Sequence, residues 1–293
     1  MKVLLLGHKG MLGSDLMAQF KYRHEVIGMD LEEINITSAS DCRKAVAENQ
    51  PQIIINAAAY TNVDACETDR ETCFAVNAEA VKNIAETCLG KNITVIHYST
   101  DYVFDGNGSR PYREDDPCNP INVYGASKLA GENYLRQLTD NFIIIRTAWL
   151  YGAKGKNFVQ AILDRARSTG KLTVVDDQTG SPTCTRDLAA ATELLVDKNA
   201  RGVFHVTNRG SCTWFDFACK ILKEAHLETV EILPMKTGDL QRAARRPAYS
   251  VLGMQKFMET TGKTMQPWQL AFQDYYKILT SRTCCNESSM VHK

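Results

Sequence analysis

The chain has 293 residues, 44% hydrophobic and 23% charged, which is ordinary for a soluble globular protein and enough to bury a large core. Basic and acidic side chains balance at 34 each, so there is no broad electrostatic footprint for nucleic acid or an acidic membrane, and an anionic ligand must be held by local groups. Ten Cys without a Cys-x-x-Cys pair argue against a zinc or iron–sulfur centre and for a reduced, cytoplasmic protein, and the opening MKVLLLG is too short an apolar run for a signal peptide or a membrane span.

Residues 3–6 form a short apolar run, followed by Gly7-His8-Lys9-Gly10-Met11-Leu12-Gly13 and a helical pattern to about residue 21. Strand, glycine-rich turn and helix are the setting of a dinucleotide fingerprint, here spaced G-x-x-G-x-x-G. Gly7 permits the tight turn, Gly10 lets backbone N–H groups approach a pyrophosphate, and Gly13 allows close helix–strand packing. The helix N-terminus adds partial positive charge. Residues 25–29 (EVIGM) read as the next strand, with Asp30 at its end. That carboxylate can accept hydrogen bonds from a ribose 2′-hydroxyl and would repel a 2′-phosphate, whereas Lys9 could pair with the phosphate. NADH and NADPH both stay open.

Residues 53–55 form a third strand, ending Asn56-Ala57-Ala58-Ala59, where small side chains leave room for a flat ligand. The loop 60–64 is polar, and 71–89 reads as one long helix closed by Gly90. Residues 94–98 (TVIHY) form a strand that runs into Ser99-Thr100-Asp101-Tyr102-Val103-Phe104. After a Gly- and Pro-rich loop, a helix begins near Val123 and carries Tyr124-Gly125-Ala126-Ser127-Lys128. Positions four apart share a helix face, so the phenol and the ammonium stand together near strand-end hydroxyls. That grouping can move a proton to or from a carbonyl oxygen; an isolated Tyr and Lys would read as the surface of an amphipathic helix.

Residues 142–146 (FIIIR) form a further strand leading to Trp149. The alternation predicts an α/β fold, a doubly wound parallel sheet of Rossmann type with a smaller substrate-binding domain. Residues 1–150 form the dinucleotide-binding domain, with a returning segment near 172–207. Residues 151–171 and 208–282 form the smaller domain, and 283–293, with Cys284-Cys285, read as a frayed tail. Within the second half, helices are expected at 157–168, 186–196, 213–226 and 267–280, and strands at 172–175 and 203–206. The segment 242–247 (RAARRP) is a basic cluster.

With Gly7-x-x-Gly10-x-x-Gly13, Asn56-Ala57-Ala58-Ala59, Ser99 to Gly106, Tyr124-x-x-x-Lys128, Gly180-Ser181-Pro182-Thr183, Asp187-Leu188-Ala189 and Arg245-Arg246-Pro247 in hand, the chain resembles an extended short-chain dehydrogenase/reductase. Within that superfamily it is most similar to the dTDP-4-dehydrorhamnose reductase family, over roughly residues 1–280. The resemblance implies reduction of the C4 ketone of a dTDP-6-deoxy-4-hexulose to dTDP-L-rhamnose with NADPH or NADH. It implies Tyr124 as proton donor, Lys128 as the cation that favours the phenolate and bonds the nicotinamide ribose, and Thr100 as a hydroxyl on the same carbonyl oxygen. Cofactor contacts are implied at Gly7, Gly10, Met11, Leu12, Gly13, Asp30, Ala57, Ala58, Ala59, Tyr124 and Lys128. Asn35 and Ile36 stand where the family's adenine-contacting pair commonly begins with Asp.

On the substrate side the implied residues are Thr61, Val63, Thr100, Asp101, Tyr102, Trp149, Arg245 and Arg246. An Arg fork can meet a diphosphate in a bidentate way, although such a cluster also occurs as a solvated loop. Trp149 is a wall against the sugar or a core residue. The partner is a small-molecule nucleotide sugar, with a homodimer open; a magnesium ion is open too, with no assignable site. Two rival activities share the scaffold. Nucleotide-sugar dehydratases carry Asp-Glu where this chain has Asp101-Tyr102, and an epimerase needs no extra base. The third reading is a cofactor-binding regulatory subunit resembling the beta subunit of methionine adenosyltransferase.

Overall fold

A computed structural model describes residues 1–290, with side-chain surroundings through residue 281. Six strands, β1 (Lys2–Leu6), β2 (Glu25–Met29), β3 (Ile53–Asn56), β4 (Thr94–Thr100), β5 (Phe142–Thr147) and β10 (Gly202–His205), make one sheet in the order β10-β5-β4-β3-β1-β2. Every pairing in it is parallel. The chain starts at β1, steps to the edge at β2, then returns to β3 and builds outward. The winding therefore reverses between β1 and β3, and a doubly wound sheet opens its ligand crevice at the carboxyl ends beside that reversal.

The strands read as continuous apolar runs because both faces are buried. Val3, Leu5, Ile53, Ile55, Ile96 and Ile145 pack against α1 (Met11–Phe20) and α8 (Thr185–Asp197). Leu4, Leu6, Ile54, Val95 and Ile144 pack against α2 (Ala39–Asn49), α5 (Ala80–Cys88) and the C-terminal turn of α6 (Val123–Leu138). Three expected strands run one or two residues longer, ending at Asn56, Thr100 and Thr147.

The single helix expected over 71–89 is instead α4 (Arg70–Phe74), a π-helical turn at Ala75–Glu79, and α5, which ends before Gly90. The wider turn lets buried Asn77 reach sideways. Its Oδ1 accepts the Tyr60 N–H at 2.9 Å, and its Nδ2 donates to Ser127 Oγ at 3.0 Å. Such single π turns satisfy polar groups that a regular helix could not reach.

A third cluster, around Tyr151, Phe217, Ile221 and Phe272, is built by α7 (Phe158–Thr169), α9 (Trp214–Glu224) and α11 (Trp268–Met290) over β7 (Lys171–Val175). β7 pairs with β12 (Glu231–Met235), a strand with no clear sequence signal because it is largely exposed and contains Pro234. Two-residue strands tie the loops together: β6 (Leu150–Tyr151) to β9 (Thr183–Cys184), and β8 (Thr179–Gly180) to β11 (Cys212–Thr213). α11 runs past the expected end at residue 280, and Tyr275, Tyr276 and Leu279 carry its apolar stripe up to that point. The segment expected to fray from Thr283 is thus helical to Met290, while the side chains of Cys284 and Cys285 lie outside the described residues. Among the described residues no helix is long and apolar enough to cross a membrane.

Candidate active site

The glycine turn lies at the β1–β3 reversal. Gly7 has φ of +78°, and a Cβ there would come within 2.8 Å of the Ala58 nitrogen, so the turn lies directly on the Ala57–Ala58 backbone. A Cβ on Gly13 would overlap the Gly7 carbonyl, which fixes how closely α1 approaches the turn. Gly10 is different: its Cβ would meet only Gly7 O, at 3.3 Å, and otherwise faces open space. Gly10 is also the N-cap of α1 without a side-chain cap, so the first-turn N–H groups beside Met11 and Leu12 remain available to an anion. These residues fit the pyrophosphate of a dinucleotide.

At the end of β2, the two oxygens of Asp30 accept the Lys9 and Leu31 backbone N–H groups, each at 2.9 Å. The Lys9 ammonium is paired with Glu32 and, at 3.1 Å, with Glu33. Asn35 turns its Oδ1 to Thr37, while Ile36 is buried in the sheet core. Ala59 is half-buried beyond Ala58 along the same strand end.

The reactive groups gather at the carboxyl end of β4. Asn122 caps α6, accepting the Gly125 N–H at 2.8 Å, and a Cβ on Gly125 would overlap the Tyr102 carbonyl. The helix is thus pressed onto the turn that follows β4. Burial pushes the Tyr124 phenol above its ordinary range, with Asp101 adding to the rise, while a hydrogen bond with Thr100 pulls it down. Thr100 Oγ1 donates to Asp101 Oδ1 at 2.9 Å. The other Asp101 oxygen is buried without a partner, and burial raises this carboxyl to about 6. Burial brings Lys128 down to about 8, against the opposing pull of Glu132 and Cys73. Its amino group lies 3.2 Å from His97 Nε2 rather than on a carboxylate.

Beside this centre is a cavity of about 420 Å³ lined by Val63, Tyr102, Phe158, Arg165, Trp214, Arg242 and Arg246, among others. The Tyr102 ring meets Tyr124 edge-on at 6.0 Å, so it joins the cavity to the phenol. Burial pushes the Tyr102 hydroxyl up to about 12, with Arg246 pulling against it. Arg246 Nη2 donates to Asp64 at 3.0 Å, and its buried Nη1 has no partner.

Some expected substrate residues stand elsewhere. Arg245 is exposed and engages through its carbonyl, which accepts Asn122 Nδ2 at 2.8 Å. Thr61 is exposed and does not line the cavity. Trp149 stacks at 3.5 Å behind Trp214, and it is Trp214 that faces the cavity. Trp214, Phe158, Arg165, Arg242 and His97 carried no role in the sequence reading. A partial signal existed for Trp214: Thr213 and Asp216 form a capping box that fixes it as the first residue of α9. Among the described residues no group of three or more His, Cys, Asp or Glu side chains is placed to hold a metal ion.

The family model described as "RmlD substrate binding domain" matches residues 1–281. The chain is 40% identical over 275 residues to the spore coat polysaccharide biosynthesis protein SpsK of Bacillus subtilis, covering 94% of this chain and 96% of that protein. A crystal structure of a dTDP-4-dehydrorhamnose reductase from Clostridium acetobutylicum superposes with a TM-score of 0.92 at 37% identity, over 96% of this chain and all of the other. The Bacillus anthracis dTDP-4-dehydrorhamnose reductase, solved in complex with NADP, gives 0.91 at 35% identity, over 94% of this chain and 98% of the other. With a family model that spans residues 1–281 and relatives matched over nearly the whole length, the chain belongs to the RmlD substrate binding domain family, that of the dTDP-4-dehydrorhamnose reductases.

Proposed function

We propose that the chain is a nicotinamide-dependent oxidoreductase that reduces the C4 ketone of a dTDP-6-deoxy-4-hexulose to dTDP-L-rhamnose. The observation that carries this reading is the junction at Tyr102. On one side it meets Tyr124, which Thr100 hydrogen-bonds; on the other it lines a cavity into which a partly unpaired arginine reaches. A proton donor for a carbonyl oxygen and a cation for a diphosphate thus share one wall.

When bound between the glycine turn and Ala57–Ala59, a reduced dinucleotide supplies the hydride. Tyr124 gives its phenolic proton to the C4 oxygen, and Thr100, its O–H turned away from Asp101, donates a hydrogen bond to the same oxygen as charge develops there. Lys128, charged, favours the phenolate that remains. Arg246 holds the diphosphate, with Arg242 beside it. Elimination is disfavoured because Tyr102 stands where a carboxylate base would be needed. For the cofactor, Asp30 at the β2 end and Lys9 already paired with two glutamates favour NADH over NADPH.

The test is loss of reduced-nicotinamide absorbance when the dTDP-4-keto sugar is added to the enzyme with each cofactor. No oxidation with either cofactor refutes the activity. Equal or higher kcat/KM with NADPH refutes the cofactor preference alone.

A further inference from the structure

His97 is fully buried in the middle of the parallel sheet, and nothing in the reaction above uses it. Burial holds its imidazole neutral, far below the ordinary histidine range. A neutral imidazole has one N–H and one bare nitrogen, so what faces one nitrogen decides what the other can do. His97 Nδ1 faces Asn56 Nδ2 at 3.3 Å, and His97 Nε2 faces Lys128 Nζ at 3.2 Å.

The orientation of Asn56 is set from outside. Its Oδ1 accepts the backbone N–H of Ala58 at 3.1 Å. A backbone N–H can only donate, so turning the amide over would set two donors against each other. The Asn56 NH₂ group therefore donates to His97 Nδ1, and the imidazole proton resides on Nε2, aimed at Lys128. An ammonium has three N–H donors and no lone pair, whereas an amine can accept.

We infer that the chain of hydrogen bonds from Ala58 through Asn56 to His97 holds His97 as its Nε2–H tautomer, so that an N–H faces Lys128 and favours its neutral amine over its ammonium until cofactor binds, an effect that shows on the alkaline side of neutrality. His97 is then a positioning residue for the charge of Lys128, and it acts only through that side chain. The inference rests on the reductase reading for its consequence: the ammonium that supports Tyr124 becomes the settled state when the cofactor arrives. The proton balance is simple. In each molecule whose Lys128 stands as the amine, one proton is taken from solvent onto Nζ as cofactor binds.

The other groups around Lys128 are accounted for. Glu132, one turn on along α6, favours the charge, but its oxygens already serve Arg146 at 2.7 and 2.9 Å and Arg136 at 3.3 Å. Cys73 on α4 also favours the charge, and its thiol donates to Ser127 Oγ at 3.1 Å. Asp101, Tyr102 and Cys66 bear on the Tyr124 phenol instead. Burial is the largest influence on Lys128 and acts in the same direction as the imidazole N–H. Among the described residues Lys128 forms no ion pair that would offset it.

The test uses the full-length protein. ¹⁵N-histidine NMR of the cofactor-free enzyme shows which ring nitrogen of His97 is protonated; Nε2–H is expected, and Nδ1–H overturns the inference. Titration of NADH in buffers of different ionisation heat, on the alkaline side of neutrality, should give uptake approaching about one proton per site. No uptake overturns it. In Asn56→Asp the carboxylate accepts from both Ala58 and His97 Nδ1, so Nε2 becomes the acceptor and Lys128 is charged from the start. Uptake should then disappear, and undiminished uptake in the folded variant also overturns the inference. Should NADH not bind at all, the reductase reading fails while the NMR result still decides the tautomer.

Discussion

Arg246 is the group on which the substrate assignment depends most directly. Its side chain lines the cavity and is only 9% exposed, Nη2 pairs with Asp64, and Nη1 is buried with no partner. Arg246→Ala removes the charged hydrogen bonds to a diphosphate, worth about 1.5–3 kcal/mol, which is roughly 10- to 150-fold in affinity. The variant also leaves Asp64 facing the ligand, with Arg242 at 3.9 Å as its remaining cationic neighbour, so the upper half of that range is expected. Arg246→Lys should recover part of the loss, since a point charge cannot reproduce the fork. Arg245→Ala is the internal control: its side chain is exposed, and its structural contact is made by the carbonyl that every variant retains. The assay is KM for the nucleotide sugar at saturating cofactor, with cofactor affinity measured separately. An unchanged KM in Arg246→Ala, or the main effect in Arg245→Ala, refutes the placement of the diphosphate.

Tyr124→Phe should lose about 100- to 10,000-fold in turnover while still binding the reduced cofactor by fluorescence, because only the proton donor is removed; near-wild-type turnover would reject the assignment. Gly125→Ala forces a Cβ against the Tyr102 carbonyl, and should lower kcat by a larger factor than it weakens NADH, since α6 shifts relative to Thr100 and takes Lys128 with it while the glycine turn stays in place. The stability of Asp101 has a definite pH sign. Its carboxyl rises from the ordinary 3.8 to about 6 in the folded protein, so the unfolded chain releases that proton first as pH increases. The wild type therefore loses about 3 kcal/mol of stability from this group as pH rises from below the unfolded pKa through about 6, and Asp101→Asn should not. Urea melts at both ends of that window would show parallel curves for the two proteins if the carboxyl were not buried and unpaired.

The sheet was legible in the sequence because burial on both faces leaves a local record: runs such as Ile53–Asn56 and Phe142–Thr147 are apolar without interruption. The glycine turn and the Tyr124–Lys128 helix were legible for the same reason, since each is a short-range pattern. What did not show was every feature made by segments meeting across the fold. β12 lies at an exposed edge, where no apolar periodicity is required. The π turn at Ala75–Glu79 exists to bring Asn77 to Tyr60 and Ser127, partners on separate elements. His97 reads as a polar interruption in TVIHY until Asn56 and Lys128 close on its two nitrogens. Trp149, legible after β5, gives way to Trp214 because a second aromatic from α9 stacks in front of it.

The two most specific sequence stretches, the run from Thr100 to Gly106 and the Arg245-Arg246-Pro247 triplet, meet in space, and the contact would hold the proposed substrate binding and proton transfer in register. Gly106, with φ of +82°, lies so close to Pro247 that a Cβ would come within 2.6 Å of it, and the Gly106 carbonyl accepts the Tyr249 N–H at 3.1 Å. The loop leaving β4 therefore carries the arginine segment on its back. From the other side, Asn122 uses both ends of one amide: Oδ1 caps α6 at Gly125, and Nδ2 holds the carbonyl of Arg245. The start of the helix bearing Tyr124 and the backbone immediately before Arg246 are thus fixed by a single side chain. A rigid tie of this kind matters because misplacing reacting atoms by an ångström costs large factors in rate. On the proposed reading, the diphosphate clamp and the proton donor are tied to one frame, and the charge that binds the nucleotide also sets where its sugar ketone meets the phenol.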